Sequence, residues 1–353
     1  MMLLSCETSG DKVRLTEQMT SEGDTLKNDY AEAFRVIDYE NFTQIDIVDP
    51  ATNETIYSYG IGDSIRNGLV DLGKNIESIA ALSATHVGML KRLNLEIKIK
   101  GVSSAKYLCN TKNEEEDWIE YGDLGNSDPE LFIAHRPTLI MYSGFKLDHP
   151  VLTKIEKIGI PTFVNYDWKE THPLGRAEWL KVFGILCDVQ DEAQEVFNSI
   201  KRNYLQLVKR IQNDTTSPSV LVGTLYGDVF NVPAGNSYMS KMLSDANVDY
   251  IYNKTQGTGS LNLSLEEVII KNQETDFLIN IAASSKKAVS EMNDKFELLN
   301  AYQNDKMFSY YENVNCFWER SAVAPEEVLY DLIHIFHSDL FSDSTLYFYN
   351  QIQ

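Results

Sequence analysis

The sequence predicts an α/β fold of two Rossmann-like lobes with mostly parallel sheets, joined by one long rigid helix. Three observations predict it. Short apolar runs alternate with helical patterns from residue 76 to 186, the order that gives a parallel sheet with helices on both faces. The same alternation restarts at residue 219. Between the halves, Ala193, Val196, Phe197, Ile200, Tyr204, Leu207, Val208 and Ile211 recur every three or four residues, so residues 191–212 present one apolar helix face. Asp191, Glu192 and Glu195 open this stretch and Lys201, Arg202, Lys209 and Arg210 follow, which suits the helix dipole. At about 1.5 Å per residue it is roughly 33 Å long, the length of a spine between lobes. An ordinary long helix inside one large domain is the plainer alternative. The expected layout is a polar tether over 1–33, a first lobe over 34–173, connecting helices over 174–213 and a second lobe over 214–353.

Each element has a local reason. Alternating residues make edge strands of 34–38, 44–48 and 55–59, with a turn at 49–53. Residues 76–81 form a strand, and Ser83 caps a helix running to Leu93. A strand follows at 97–102. Asp128 is a helix N-cap with Pro129 at the first helical position. Then come a strand at 138–142, a helix at 151–158, a strand at 161–166 and a helix at 173–186. The second half reads as a strand at 219–226, a helix at 239–246, a strand at 248–252 and a loop at 257–260. Ser264 opens a helix to Lys271. A strand at 276–282, a helix at 294–302 and a strand at 307–311 precede a last helix from Pro325. That helix carries Val328, Leu329, Leu332, Ile333, Phe336 and Leu340 on one side.

A chain of 353 residues with 43% apolar content supports two cores. A net charge of −21 argues against nucleic acid, whose phosphates require clustered Lys and Arg. The same balance disfavours an anionic membrane surface and suits an exported protein. No apolar run is long enough to span a bilayer. Cysteines 109, 187 and 316 show neither metal-ligand spacing nor a disulfide framework and are read as buried thiols. Cys6 stands apart. Leu3-Leu4-Ser5-Cys6 resembles the bacterial lipobox, in which the cysteine is lipidated and becomes the mature N-terminus. The preceding charged and apolar signal regions are missing, so either the signal peptide is truncated, the reading adopted, or the match is chance. The polar tract from Glu7 to Asn28 is then the tether behind the lipid.

Ligands of open α/β sheets bind beyond the carboxyl ends of the strands. The loops there supply the candidate ligand-binding residues. Ser83, Thr85, His86, Tyr107, Tyr142, Phe145, Tyr166 and Trp168 come from the first lobe; Tyr226, Tyr238, Phe317, Trp318 and Arg320 come from the second. Aromatic walls with a few polar groups fit a large, flat, partly apolar ligand, although such rings also pack loops together. Trp168 and Trp318 are expected to face the cleft from opposite lobes. His86 is either a ligand contact or a helix-start residue. His334 and His337, three apart on the last helix, are read as structural. There is no phosphate-binding glycine loop, no G-x-S-x-G elbow and no H-E-x-x-H. No catalytic residue, metal ligand or resident cofactor is therefore assigned.

Cys316-Phe317-Trp318-Glu319-Arg320-Ser321, followed by the helix from Pro325 to Phe336, resembles the C-terminal part of the periplasmic cobalamin-binding proteins of ABC importers. So does Pro129-Glu130-Leu131-Phe132-Ile133-Ala134-His135-Arg136-Pro137-Thr138-Leu139-Ile140, and Ser264-Leu265-Glu266-Glu267-Val268 is similar to its counterpart in the second lobe. The wider family binds ferric siderophores, haem and cobalamin. The resemblance covers about residues 75–340; the edge strands at 34–59 are an addition and the ligand loops match poorly. It implies a substrate-binding lipoprotein of a bacterial ABC importer, a monomer in the periplasm or cell envelope that meets the membrane only through its lipid. Its cargo is then a metal chelate, either a corrinoid or a ferric siderophore, passed to the permease with only small lobe movements. Haem, held by a Tyr or His, is an alternative. So is zinc or manganese, although that needs convergent His and carboxylates in the loops. An enzyme on a doubly wound fold is the remaining class. The resemblance also assigns permease docking to Glu130 and Glu266. Each falls at the second position of an equivalent helix, and Glu267 is placed to close a capping box with Ser264. The plainer role for both is dipole stabilisation.

Overall fold

The computed structural model describes residues 23–109, 117–340 and 345–353. Cys6 and residues 1–22 of the expected tether lie outside the described residues; the rest of that tether is corrected, since Asp24–Leu26 is a strand paired with Phe34–Asp38. The spine helix runs from Gln190 to Ile211 and buries Ala193, Phe197, Ile200, Tyr204 and Ile211, the face the periodicity predicts. It packs on the helices Leu180–Cys187 and Pro325–Phe336. Its Tyr204 hydroxyl donates to Asp245 at 2.8 Å, which ties the spine to the second-lobe helix Tyr238–Asp245.

The first lobe holds a parallel sheet in the order Thr162–Asn165, Leu139–Ser143, Ile79–Ala81, Ile99–Val102, Ile119–Glu120. The second lobe holds Val220–Val222, Phe277–Ile279 and Met307–Ser309 in parallel, with Asn350–Gln351 antiparallel at the edge. The edge strands belong to a sheet of their own, built from Asp24–Leu26, Phe34–Asp38, Phe42–Val48, Thr55–Gly62 and Val70–Asp71. Tyr59 joins that sheet to the first lobe: its hydroxyl accepts from the Val164 N–H at 3.2 Å and its ring lies 4.8 Å from Phe163.

Four expectations are corrected. The strand at 219–226 breaks at Gly223, whose φ of +155° turns the chain out of the parallel sheet. A Cβ there would lie 2.2 Å from the Asn231 carbonyl oxygen, so only glycine allows the approach. Thr224–Tyr226 instead pairs with Val229–Pro233, which pairs with Ser260–Ser264 in a small antiparallel sheet. The expected strand at 248–252 makes a single bridge, Ser219 with Asp249, because Tyr250 and Tyr252 are both turned into the core. The helix at 173–186 is two helices, Pro173–Glu178 and Leu180–Cys187, meeting at Trp179. The helix at 294–302 is a 3-10 turn, Asp294–Leu298, and a short helix, Asn300–Gln303; a helix at Lys286–Met292 precedes them.

Buried carboxylates strap both ends of the described chain. Glu178 accepts the N–H groups of Asp29, Tyr30 and Ala31 at 2.7–2.8 Å. Glu170 accepts those of Glu32 and Ala33 and the indole N–H of Trp179. At the other end Asp331 takes the N–H groups of Tyr347, Phe348 and Tyr349. A carboxylate with several N–H donors is a strong, geometrically specific clamp.

The cysteine reading is also corrected. Cys109 and Cys316 form a disulfide over a sequence separation of 207, while Cys187 is a free buried thiol. Spacing cannot reveal a pair that distant in sequence. The bond fastens the first lobe to a cross helix, Val314–Arg320, that packs on Ala84–Arg92. Around it, Glu319 accepts the Cys109 N–H at 2.8 Å and pairs with Lys91 at 2.9 Å.

Candidate ligand cleft

Strand ends from both lobes converge on one cavity of about 540 Å³. In the first lobe Ile79–Ala81 leads to Ser83 and Thr85, Leu139–Ser143 to Phe145, and Thr162–Asn165 to Asp167 and Trp168. In the second, Val220–Val222 leads to Gly223 and Thr224, Phe277–Ile279 to Asn280, and Met307–Ser309 to Tyr310. Every one of these strands in both sheets points its carboxyl end at the same space, as ligand sites of open α/β sheets require.

Aromatic rings form two walls. On one, Phe145 stacks on Trp168 at 4.8 Å, with Tyr166 edge-on behind and the Lys169 ammonium 4.9 Å above the indole. On the other, Tyr310 and Phe317 stack at 3.8 Å and Trp318 stands edge-on to both. The Trp168 indole N–H is buried with no protein acceptor among the described residues. Trp318 belongs to the cross helix, so its wall is fixed to the first lobe: the Thr85 hydroxyl donates to the Trp318 carbonyl at 3.3 Å.

The charged lining residues are Asp167 and Arg176. Arg176 donates from Nε and Nη2 to one Asp167 oxygen at 3.0 and 2.7 Å, and its guanidinium lies 4.2 Å over the Tyr238 ring. Asp167 is steadied in turn by its own N–H, which donates to Asn165 Oδ1 at 2.9 Å.

Of the candidates, Ser83, Thr85, Phe145, Trp168, Tyr238, Phe317 and Trp318 line the cavity. His86 does not reach it. It is fully buried, with the Met141 backbone as a weak partner, and burial depresses its pKa to about 4. Tyr142 and Tyr166 are buried in the sheet layer, Tyr107 and Tyr226 stand out in solvent, and Arg320 is paired with Glu327 against the Phe348 ring. Arg176, Asn231, Asn280 and Tyr310 were not among the candidates. Arg176 hides inside the helix Pro173–Glu178 and not in a strand-end loop. Asn280 and Tyr310 directly follow apolar strands, a signal that shorter strand boundaries would have exposed.

Glu130 is exposed at the start of Pro129–His135, where Asp128 caps its N–H at 3.0 Å. Glu266 is also exposed, but it is ion-paired with Lys295. The capping box is half formed: Ser264 accepts the Glu267 N–H at 3.2 Å, while the Glu267 carboxylate pairs with Lys271 at 2.6 Å. Among the described residues no group of His, Cys, Asp and Glu is placed to hold a metal ion, and no helix is long and apolar enough to cross a membrane.

A family model for periplasmic binding proteins matches residues 79–313. An uncharacterized lipoprotein of Methanocaldococcus jannaschii is 25% identical over 286 residues, 77% of this chain and 67% of its own. A possible iron-binding, periplasmic solute-binding protein of Staphylococcus epidermidis has a similar structure, with TM-score 0.58 and 19% identity over 75% of this chain and 100% of its own. A periplasmic haem-binding protein of Pseudomonas aeruginosa superposes with TM-score 0.62 and 14% identity over 78% of this chain and 98% of its own.

Proposed function

This chain belongs to the periplasmic binding protein family, and from that premise we propose that it captures a metal chelate between its lobes and delivers it to an ABC permease. The observation that carries the reading is the cavity of about 540 Å³ at the carboxyl ends of both parallel sheets, walled by Trp168 with Phe145 and by Tyr310, Phe317 and Trp318. Rings of that extent suit a wide, partly apolar cargo, and hydroxyl and amide groups between them suit its polar edge. A corrinoid or a ferric siderophore meets both demands. The similarity to iron- and haem-binding proteins supports the class of cargo and, at its low identity, not the individual compound. The protein binds and hands on its cargo without chemical turnover.

The lipoprotein name of the archaeal relative supports a lipid anchor at Cys6. The disulfide supports a place outside the reducing cytoplasm. Two measurements test the reading. Protein purified from its native envelope should carry a coloured, metal-containing compound that mass spectrometry identifies, and a metal-free sugar or peptide in its place would reject the chelate. The mature N-terminus from the complete gene should be a diacylated Cys6, and an unmodified Met1 would reject the anchor.

A further inference from the structure

We infer that the cargo is a chelate of net charge zero or above with amide-, hydroxamate- or hydroxyl-type polar edges, not a polyanion. This rests on the chelate reading and narrows it. Asp167 and Arg176 are the charged residues lining the cavity among those described, and they neutralise each other at 2.7 Å while both are buried. The guanidinium is further occupied by the Tyr238 ring beneath it. A chelate bearing several negative charges would therefore lose its hydration in this space with no unpaired cation among the described lining residues to replace it, and Lys169, over the Trp168 indole, is paired with Asp49 at 3.7 Å. The rest of the polar lining is uncharged and includes the hydroxyls of Ser83, Thr85, Ser143 and Thr224 and the amides of Asn231 and Asn280. Such groups pair with carbonyl, amide and hydroxyl edges, and the aromatic faces also attract a positive charge. The chain as a whole works in the same direction, since a net charge of −21 repels an approaching polyanion and favours a neutral or cationic one.

The pair itself then sets the selectivity. With Asp167 in place, Arg176 hydrogen-bonds a neutral oxygen without demanding a counter-charge. Replacing Asp167→Asn keeps the shape and leaves one buried, uncompensated positive charge in the cavity.

Calorimetry on the whole soluble chain, at low and high salt, tests this with four probes. These are cyanocobalamin, a cationic ferric trihydroxamate, a ferric tris-catecholate and haemin. At least one of the first two should bind at least tenfold tighter than either anionic probe, with little dependence on salt. In the Asp167→Asn variant the preference for neutral over anionic probes should shrink at least tenfold, and a salt dependence should appear. Tightest binding of the tris-catecholate or haemin by the parent would overturn the charge assignment and leave the chelate reading standing. Failure of all four to bind would overturn both. The parent panel decides the matter if the variant does not fold.

Discussion

Gly88 faces Glu319 so closely that a Cβ on the glycine would sit 1.7 Å from the Glu319 carbonyl oxygen. The helix Ala84–Arg92 and the cross helix Val314–Arg320 touch backbone to backbone at this point. Gly88→Ala must force them apart, and overpacking of that kind costs about 1–3 kcal/mol. Because Thr85 and Trp318 flank the contact and line the cavity, ligand affinity should fall with stability. Urea unfolding and calorimetry of one variant check both effects; an unchanged midpoint would show that the helices yield freely.

The disulfide holds the same junction. Removing it with Cys109→Ala and Cys316→Ala should lower stability by about 2–4 kcal/mol. Parent protein unfolded in excess dithiol should match the double variant. If reductant leaves the parent's midpoint where it was, the two sulfurs are not bonded in solution.

His86 makes stability depend on pH. Its folded pKa of about 4 lies below the ordinary imidazole value because burial excludes the charged form. The unfolded chain therefore binds a proton that the folded one refuses. The contribution is full above about pH 6.5 and is lost as pH falls to about 4, on the order of 3 kcal/mol. Glu170, pushed up to about 7 by burial, works oppositely: its contribution is full below its ordinary value and fades as pH rises to about 7. Comparing the parent with His86→Leu across pH 4–8 cancels the glutamate and isolates the histidine. A pH-independent difference would mean that the imidazole takes up its proton in the fold as readily as in the unfolded chain.

Trp168 and Trp318 line opposite walls of the cavity. A bound metal chelate should quench their fluorescence, and Trp168→Ala or Trp318→Ala should each weaken affinity by about 1–3 kcal/mol. Normal affinity in both single variants would reduce these rings to loop packing.

Glu130 and Glu266 should serve delivery and not capture, since neither lines the cavity. Reversing both to Lys should leave ligand affinity within a few-fold of the parent and abolish uptake in whole cells. Lys295 would lose its partner in that variant, so Lys295→Ala alone is the control and should transport normally. Normal uptake by the double variant would refute docking at these two helices.

How far the sequence could be read follows from how local each signal is. The spine was legible because its apolar face repeats over 22 residues with no competing pattern. Trp168 and Phe145 were legible because they directly follow strands. The small antiparallel sheet was hidden by its first strand, which continues a parallel strand in sequence and leaves it only at Gly223. Its turn at Gly227-Asp228 is a two-residue hairpin signal, masked when 219–226 is taken as one run. Arg176 was invisible for another reason: its helix position says nothing of Asp167, nine residues earlier, or of Tyr238 in the other lobe. The disulfide depends wholly on tertiary structure.

The spine at one point, and the cross helix with its disulfide at another, staple the halves of the molecule together. A body stapled in this way keeps nearly the same outline whether its cleft is full or vacant. Carriers that clamp shut announce their load by their silhouette. On the proposed carrier function this one would present the same face to the permease in either condition, and empty copies would compete with full ones for the dock. Discrimination would then rest on the cargo itself or on how long each form stays seated.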